Sequence, residues 1–378
     1  MAMPDEPSEQ QAFLILNALP NIGPITLNRL LAELGNDPRR VLAASASRLE
    51  AVKGVGPVIS ATVTRWCEHF DLGREEERMA RAGVSFIASR DPGYPPLLKE
   101  INDPPIGLYR RGGYAFTQPS VAIVGSRRTT LYGQATAKRL GAELAQRGFC
   151  IVSGLARGID TAAHYGALEA GGRTAGVLGT GIDLVYPPEN LALYRRIEEQ
   201  GAILSELPLG RRADKQSFAM RNRIVAGSCV AIIVVESDVS GGAMITARFA
   251  GEQGRLIFAV PGRIDQATSA GCHQLIRDGA TLLTSVEDVL SELDYLDGLR
   301  PAPIPEKPGA GGATTGLGDL NVGERSILGA FAGGGILGAD QIVAQTGLAI
   351  SEVSAGLIML ELKRRIVRRA DGTYEATA

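Results

Sequence analysis

The sequence predicts an α/β protein built around an extended, Rossmann-like, doubly wound parallel sheet. Between residues 120 and 295, short apolar segments rich in valine and isoleucine alternate with helical stretches. Such strands, separated by helices, are typical of a parallel sheet that helices cover on both faces. Most of the segments also end in the glycine-rich turn that leads from strand to helix in these sheets. In chain order the strands are VAIVG, CIVSG, TAGVLG, AILSE, CVAIIVVES, LIFAV and TLLT.

A helical domain is expected before this sheet, over residues 1–82. Its segments LPNIGPITLNRLL and VKGVGPVISATV each place Gly-Pro between helical stretches, a pattern typical of helix-hairpin-helix or SAM-like units. The glycine turn of such a unit presents backbone N–H groups to a phosphate. A small helical bundle that does not touch DNA is the alternative interpretation.

The sheet domain is expected over residues 83–297. It begins with a connector that contains the probable strand VSFIA and the proline pairs Pro95–Pro96 and Pro104–Pro105. Paired prolines are incompatible with long regular elements, because proline has no amide proton and restricts the residue before it. The connector is therefore expected to be mostly irregular.

Two further segments follow the sheet domain. Residues 298–319 are rich in proline and glycine and predict a flexible linker. Residues 320–378 predict three helices and a terminal hairpin about an Asp-Gly turn, which is the layout of a winged helix. Basic residues near its end suit duplex DNA or a protein partner, and they also complement a helix dipole. These residues are Lys363, Arg364, Arg365, Arg368 and Arg369.

The composition argues against several classes of protein. Lys plus Arg number 39 against 41 for Asp plus Glu, so a basic signature over the whole chain is absent and any anion site must be local. The four cysteines form no CxxC pair, which argues against a zinc ribbon or a redox dithiol. The acidic N-terminus does not resemble a signal peptide, and no apolar run approaches the ~20 residues of a membrane helix. A cytoplasmic protein without metal, cofactor or membrane contact is expected.

The strand ends predict a site for anions. Parallel strands bring their carboxyl ends to one edge of the sheet, where ligands of such folds bind. Here the exits carry glycine turns with hydroxyl groups or arginines, a combination that suits phosphates. Arg128 and Arg157 are equally compatible with ion-pair roles. The exit residues chosen as candidates are Gly125, Ser126, Arg127, Ser153, Gly154, Leu155, Arg157, Gly179, Thr180 and Gly181.

The segment DKQSFAMRNRIVAG, residues 214–227, is the second part of the predicted site. It is expected to form a loop and a short helix. On a helix, Lys215 and Phe218 lie three residues apart and face the same way, which pairs a phosphate partner with a stacking ring. Arg221 and Arg223 lie two apart and cannot share one face, so at least one of them braces the pocket. Asn222 between them completes the set of candidates.

Motifs for nucleotide cofactors and catalysis are missing. GTGIDL fails the GxGxxG pattern at Leu184, and neither a Walker A motif nor a hydrolase triad signature is present. The three histidines lie in unrelated segments, and His164 is expected to pack below the ARGID turn. The acidic residues near the strand exits are expected to cap helices or hold arginines, and no catalytic reaction is expected. These acidic residues are Asp160, Asp183, Glu206 and Glu236.

Seven ordered motifs resemble the DprA (Smf) family of DNA-processing proteins. They are VAIVGSRRTTLYG, SGLARGIDTAAHYGAL, GVLGTGIDLVYPPEN, SELPLG, FAMRNRIVAG, TARFAGEQGRLIFAVPG and LIRDGA. The resemblance implies a homodimeric single-stranded-DNA-binding protein of natural transformation, which protects incoming DNA and loads the RecA recombinase onto it. It also implies a DNA pocket formed by Arg127, Lys215 and Phe218 with backbone groups of the glycine turns.

The chain departs from the family pattern at three turns. FAMRNR replaces the common FPxRNR, so Ala219 stands where a proline is usual. SGGAMIT replaces SGSLIT, and His273-Gln274 replaces the asparagine that usually precedes the LI of LIRDGA. These changes affect the expected shape of the pocket and leave the resemblance intact.

Two other functions are compatible with parts of the sequence. One is a Rossmann-type nucleotide or phosphosugar hydrolase, a base-releasing phosphoribohydrolase, for which a PGGxGTxxE signature is expected. The chain offers only SGGAMITARF, without the glutamate. The other is an adaptor whose two small domains bind proteins.

Overall fold

The computed structural model describes residues 6–294, 320–331, 336–363, 365–368 and 372–376. The chain divides after residue 304 into two compact units. The predicted linker, Arg364 and Arg369 lie outside the described residues.

Seven helices open the first unit, and the last of them ends at Ala82. Six of them start either with proline at the first or second helical position, where its missing amide proton costs nothing, or with a serine or aspartate cap. The helices are α1 (Glu9–Ala18), α2 (Pro24–Glu33), α3 (Pro38–Leu42), α4 (Ala46–Glu50), α5 (Pro57–Thr64), α6 (Trp66–His69) and α7 (Leu72–Ala82). Their apolar side chains share one core with the sheet, in which Phe13 and Leu16 pack with Phe86, Tyr109 and Ile203.

A nine-stranded sheet forms the centre of the first unit. Its strands are β1 (Ser85–Ala88), β2 (Gly107–Arg111), β3 (Ser120–Val124), β4 (Cys150–Ser153), β5 (Thr174–Leu178), β6 (Ala202–Ser205), β7 (Ala231–Val234), β8 (Leu256–Ala259) and β9 (Thr281–Leu282). The order is β1-β2-β6-β5-β4-β3-β7-β8-β9. The seven predicted strands after residue 120 are all present, and all pair in parallel.

The connector adds an antiparallel edge that the sequence did not reveal. Strand β1, predicted as VSFIA, pairs antiparallel with β2, and β2 pairs antiparallel with β6. Strand β2 is a five-residue segment, GLYRR, that follows a proline pair, and its short polar end hides the alternation of a strand. The sheet is therefore mixed at this edge and parallel elsewhere.

Helices cover both faces of the parallel part, as a doubly wound fold requires. They are α8 (Leu131–Gln146), α9 (Ile159–Glu169), α10 (Leu191–Gln200), α11 (Lys215–Gly227), α12 (Gly242–Glu252), α13 (Ala267–Arg277) and α14 (Val286–Asp294). Alternate residues of β3 enter different cores: Val121 and Ile123 pack with α8, α9 and α14, whereas Ala122 and Val124 pack with α11, α12 and α13.

The second unit has the fold of a winged helix, as predicted. Its helices are α15 (Val322–Ala330), α16 (Ala339–Thr346) and α17 (Ile350–Leu362), and its antiparallel strands are β10 (Ile336–Leu337), β11 (Ile366–Arg368) and β12 (Tyr374–Ala376). Within the described ranges, no single helix is long and apolar enough to cross a membrane. By length and composition alone, α16 and α17 would pass that test as a pair bent by 113°.

One buried histidine makes the stability of the fold depend on pH. His164 of α9 is fully buried, and its Nδ1 lies 2.7 Å from the Thr174 hydroxyl, which donates its own proton to the Ile151 carbonyl. Nδ1 must therefore carry the histidine proton, and the buried Nε2 has no partner among the described residues. Burial, with the charge of Arg221, lowers the pKa of His164 from 6.5 to about 3.

We predict that the unfolded chain takes up a proton at this position below pH 6.5 while the folded chain does not. The free energy of unfolding then falls as the pH falls, by about 2 kcal/mol between about pH 7 and about pH 5. His164→Asn retains an amide donor for Thr174 but does not titrate. Over the same pH range, its free energy of unfolding should therefore fall by about 2 kcal/mol less than that of the wild type. Urea unfolding of both proteins across this range measures the difference, and parallel pH curves would contradict the assignment.

Candidate nucleic-acid interface

A pocket of about 610 Å³ lies where the strand order reverses. From β3 the chain proceeds through β4, β5 and β6 on one side and then returns to β7 on the other. Ligands of open α/β sheets bind at such a crevice, beside the carboxyl ends of the strands. The turns after β3, β4 and β7 line the pocket together with α11. Its lining includes the predicted residues Gly125, Ser126, Arg127, Gly154, Lys215, Phe218, Arg221 and Asn222.

The pocket carries a local excess of positive charge. Arg127, Arg128 and Lys215 line it with exposed side chains, and none of the three forms an ion pair within the described part of the chain. Buried Arg221 adds a fourth cation, against the carboxylates of Asp160 and Asp238. Exposed cations gathered around a concave surface attract a phosphate backbone.

An aromatic ring stands next to these cations. Phe218 is half-buried, and its ring centroid lies 5.3 Å from the guanidinium carbon of Arg127, within the range of a cation–π contact. The ring of Tyr186, in the turn after β5, lies 5.4 Å away on a tilted plane. A Cβ on Gly179 would lie 2.9 Å from the ring, so this glycine lets Phe218 pack closely from behind. The candidate site residues predicted from the sequence did not include Tyr186. The available signal was its place in a Tyr-Pro-Pro segment shortly after the end of β5.

Helix α11 positions Lys215 and Phe218. The predicted loop and short helix is wrong, because one continuous helix runs from Lys215 to Gly227. The Asp214 carboxylate caps it by accepting from the Ser217 amide at 2.7 Å, and Ser217 bonds back to the cap. Ala219 favours an unbroken helix, because alanine has a high helix propensity and a proline at this position would remove a helical hydrogen bond. Lys215 and Phe218 both line the pocket, as their spacing predicted.

Arg221 forms the buried floor of the pocket. Its Nη1 donates to the Gly154 carbonyl at 2.6 Å and also to the Val177 carbonyl, so it ties α11 to the ends of β4 and β5. Burial lowers the pKa of Arg221, which the charge of Asp160 opposes. A Cβ at position 154 would lie 2.5 Å from Nη1, which explains the glycine there.

Asp160 completes this floor by holding the turn after β4. Its carboxylate accepts from the amides of Gly154 at 3.1 Å and Ala156 at 3.3 Å. Burial raises the pKa of Asp160, against the opposing charge of Arg221 and these hydrogen bonds.

Arg223 faces away from the pocket. It is 1% exposed, and its Nη2 donates to both carboxylate oxygens of Glu206 at 2.6 and 2.7 Å. Its Nε lies 3.0 Å from a carboxylate oxygen of Asp103. Burial raises the pKa of Asp103, and Arg223 opposes that shift. Of the two arginines, Arg223 is thus the one that braces α11 from outside the pocket.

The remaining predicted residues also lie outside the pocket lining. Ser153 is buried and donates to the Ile123 carbonyl at 2.6 Å. Arg157 is exposed, and its Nη2 lies 3.1 Å from a carboxylate oxygen of Glu189. Leu155 is fully buried, with a left-handed backbone (φ 55°). Thr180 and Gly181 are buried, and their backbone groups bond to Ser205 and Arg211.

The acidic residues near the strand exits make structural contacts, as the sequence analysis expected. Glu236 accepts from the hydroxyls of Thr129 and Thr130 at 2.6 and 2.5 Å, which fixes the turn after β3. Asp183 pairs with Arg78 and accepts from the Gly210 amide. Among the described residues, no three histidine, cysteine or acidic side chains are grouped as a metal ion requires.

Comparison with known proteins matches this arrangement to one family. Residues 85–294 match the model of DNA recombination-mediator protein A, and residues 314–372 match the DprA winged helix domain. The chain is 35% identical over 382 residues to protein Smf of Synechocystis, an alignment that covers 94% of this chain and 96% of Smf. The chain belongs to the DprA (Smf) family of DNA-processing proteins.

Solved structures of DprA proteins share the fold. The X-ray structure of DprA from Streptococcus pneumoniae is 34% identical, with a TM-score of 0.67, and the match covers 76% of this chain and 99% of that one. DprA from Helicobacter pylori, whose structure describes a single-stranded DNA binding mode, is 31% identical. Its TM-score is 0.51, over 56% of this chain and 96% of that one.

The DprA-type winged helix here exposes an apolar helix face. Ile358 and Leu362 of α17 are 59% and 72% exposed, whereas Val353 and Leu360 fill the core. Lys363, at the basic end of the helix, lies 2.9 Å from a carboxylate oxygen of buried Glu324. The winged-helix fold predicted for this domain is confirmed.

We predict that Arg223→Met lowers the free energy of unfolding by about 3–5 kcal/mol, because it leaves the carboxylates of Glu206 and Asp103 without their buried cation. The matched control is Arg248→Met, which removes an exposed arginine 3.7 Å from Glu252 on α12. That change should cost less than about 1 kcal/mol. Urea unfolding measures both, and equal losses would show that Arg223 is not a brace.

Proposed function

We propose that this chain binds single-stranded DNA in the pocket between the turns after β3 and β7. The observation that carries the proposal is the placement of Arg127 and Lys215, both exposed and without an ion pair among the described residues, in the pocket that the ring of Phe218 also lines. Phosphates would lie against the two cations and against Arg128, and a base would stack on the ring. The single-stranded DNA binding mode of the Helicobacter pylori relative supports this proposal.

The geometry favours a single strand over a duplex. In a duplex the base faces are stacked on one another and are not available to a protein ring, whereas every unpaired base offers a face. The positive charges around the ring would follow the backbone of one strand. Because phosphate contacts carry no sequence information, binding should show weak sequence preference and should weaken as salt rises.

We infer that the pocket performs no chemical step. Asp160 already accepts two backbone hydrogen bonds beneath the pocket, and His164 is fully buried. His273 lies on α13 with Nε2 2.9 Å from the Gly262 carbonyl, outside the pocket lining. Incubation with nucleoside monophosphates should release no free base, and release would favour the hydrolase alternative.

In the cell, we propose the role that the family resemblance implies. The chain would act in the cytoplasm as a homodimer during natural transformation, where it would protect incoming single strands and load RecA onto them. Family membership and the likeness to DprA of Streptococcus pneumoniae support this role. A strand-exchange assay with RecA tests it: added protein should speed RecA assembly on single strands already coated by a single-strand-binding protein.

We predict that Lys215→Ala and Arg127→Ala each weaken binding of a fluorescent oligothymidylate by at least about tenfold and lower the slope of log Kd against log salt by about one. Phe218→Ala should weaken binding less than either, and by no more than the ~1–3 kcal/mol of one stacked base. Fluorescence anisotropy across a salt series gives both quantities.

Lys138→Ala is the matched control for Lys215→Ala. It removes a lysine of α8 that lies 2.8 Å from a carboxylate oxygen of Glu169, outside the pocket. It should leave the affinity within about twofold, because an exposed ion pair remote from the DNA contributes little. Unchanged binding in Lys215→Ala, Arg127→Ala and Phe218→Ala alike, with urea midpoints like the wild type, would remove the pocket from consideration as the DNA site.

A further inference from the structure

A second, smaller pocket of about 170 Å³ lies at the same edge of the sheet. Residues of α8 between Tyr132 and Leu140 line one side of it, and the turns after β8 and β9 line the other. The lining residues are Tyr132, Thr136, Arg139, Leu140, Val260, Pro261, Leu283 and Thr284. None of them belongs to the lining of the larger pocket.

The two pockets are joined by one short segment. Gly125 to Arg128 line the larger pocket, and α8 begins at Leu131, so Tyr132 is the second residue of the helix that leaves that pocket. Glu236 holds the segment between them through Thr129 and Thr130, which fixes the start of α8 relative to the larger pocket. Exposed Arg128, which makes no ion pair within the described ranges, is the residue of this segment that lines the larger pocket nearest in sequence to α8.

The side chains of the smaller pocket have the chemistry of a nucleotide subsite. Tyr132, Thr136 and Arg139 follow one another at spacings of four and three residues, so an aromatic ring, a hydroxyl and a guanidinium lie along one stripe of α8. Arg139 is half-exposed, and its nearest carboxylate, Glu143, lies 3.8 Å away on the same helix, which leaves it available to a phosphate. Single-strand-binding surfaces combine these elements, with rings for bases and cations for the backbone.

More than half of the surface of Tyr132 is exposed to solvent, so the ring is not needed to fill the core. Tyr132 is 57% exposed, and Leu131 beside it is 84% exposed. Tyr132 and Tyr186 are the two most exposed aromatic side chains in the described part of the chain, and each lies in or just after the turn that follows a strand of this edge. Exposed aromatic and apolar side chains that adjoin a positively charged pocket indicate a binding surface.

We propose that the smaller pocket is a second subsite for the same DNA strand. A base would stack on Tyr132 and the adjoining phosphate would pair with Arg139, after the strand leaves the larger pocket across Arg128. This proposal rests on the proposed function of the larger pocket, and it adds the direction of the strand along the sheet edge, from the ends of β3 and β7 toward the ends of β8 and β9.

The test compares oligothymidylates of two lengths, because a second subsite matters only for a strand long enough to reach it. One has about 4 nucleotides and the other about 16, the range of lengths that a single-strand-binding site covers. With the longer strand, Tyr132→Ala should raise Kd by about 5- to 150-fold, the equivalent of one stacked base. With the shorter strand, Kd should stay within about twofold of the wild type.

Three matched variants separate stacking from charge and from folding. Tyr132→Phe keeps the ring and should retain the affinity for the longer strand. Arg139→Gln should lower the slope of log Kd against log salt by about one for the longer strand only. Lys138→Gln, on the neighbouring position of α8 but paired with Glu169, should change neither quantity.

A fluorescent base gives a readout that a merely structural role of Tyr132 would not move. Wild-type protein and Tyr132→Phe should quench 2-aminopurine placed near one end of the longer strand, and Tyr132→Ala should not.

Equal Kd values of wild type and Tyr132→Ala for the longer strand would overturn the second subsite, and so would equal losses of affinity for both strands. If Lys215→Ala still weakens binding in that case, only the subsite fails. If no variant of either pocket changes binding, the proposed function fails with it.

Discussion

Two buried arginines on α11 hold the pocket in shape. Arg221 and Arg223 lie about 200° apart around the helix axis, since each residue of an α-helix turns by about 100°. Arg221 reaches the carbonyls at the ends of β4 and β5, while Arg223 reaches Glu206 after β6 and Asp103 in the connector. The helix is thereby fixed on two sides to the sheet edge. A guanidinium suits both positions, because its fork of donors serves several acceptors at once and it stays charged when buried.

This arrangement separates the structural cations from those that remain available to a ligand. Arg221 binds carbonyl groups and Arg223 binds carboxylates, so the two inner arginines add rigidity and little free charge to the surface. Lys215, at the first turn of the same helix, has no such partner among the described residues and lies beside the positive end of the helix dipole. Like charges held together in this way are unfavourable in the empty protein. An incoming phosphate relieves that repulsion, so part of the stabilisation appears only on binding.

The sequence predicts the features that depend on local residue patterns. It does not predict the features that depend on contacts between residues far apart in the chain. The seven parallel strands, the winged helix and the shared face of Lys215 and Phe218 follow from periodicity and spacing. The orientation of Arg223 depends on Asp103, 120 positions earlier in the chain, and no spacing rule connects the two. The same holds for Tyr186, which reaches Phe218 only because the turns after β5 and β6 fold toward the same edge. Strand β2 was missed because GLYRR gains its strand character from pairing with β1 and β6.

A net charge of −2 is compatible with a DNA-binding surface because the charges are distributed unevenly. Many basic side chains away from the pocket lie next to carboxylates, as Arg81 does to Glu77 and Arg147 to Glu287, and such pairs have little field beyond about 10 Å in physiological salt. At the pocket, Arg127, Arg128 and Lys215 have no paired carboxylate in the described part of the chain, and they surround a concave surface where their fields add. On the proposed function, the position of a DNA strand would be set by the cations that line the pocket, and the total charge of the chain would have little influence on it.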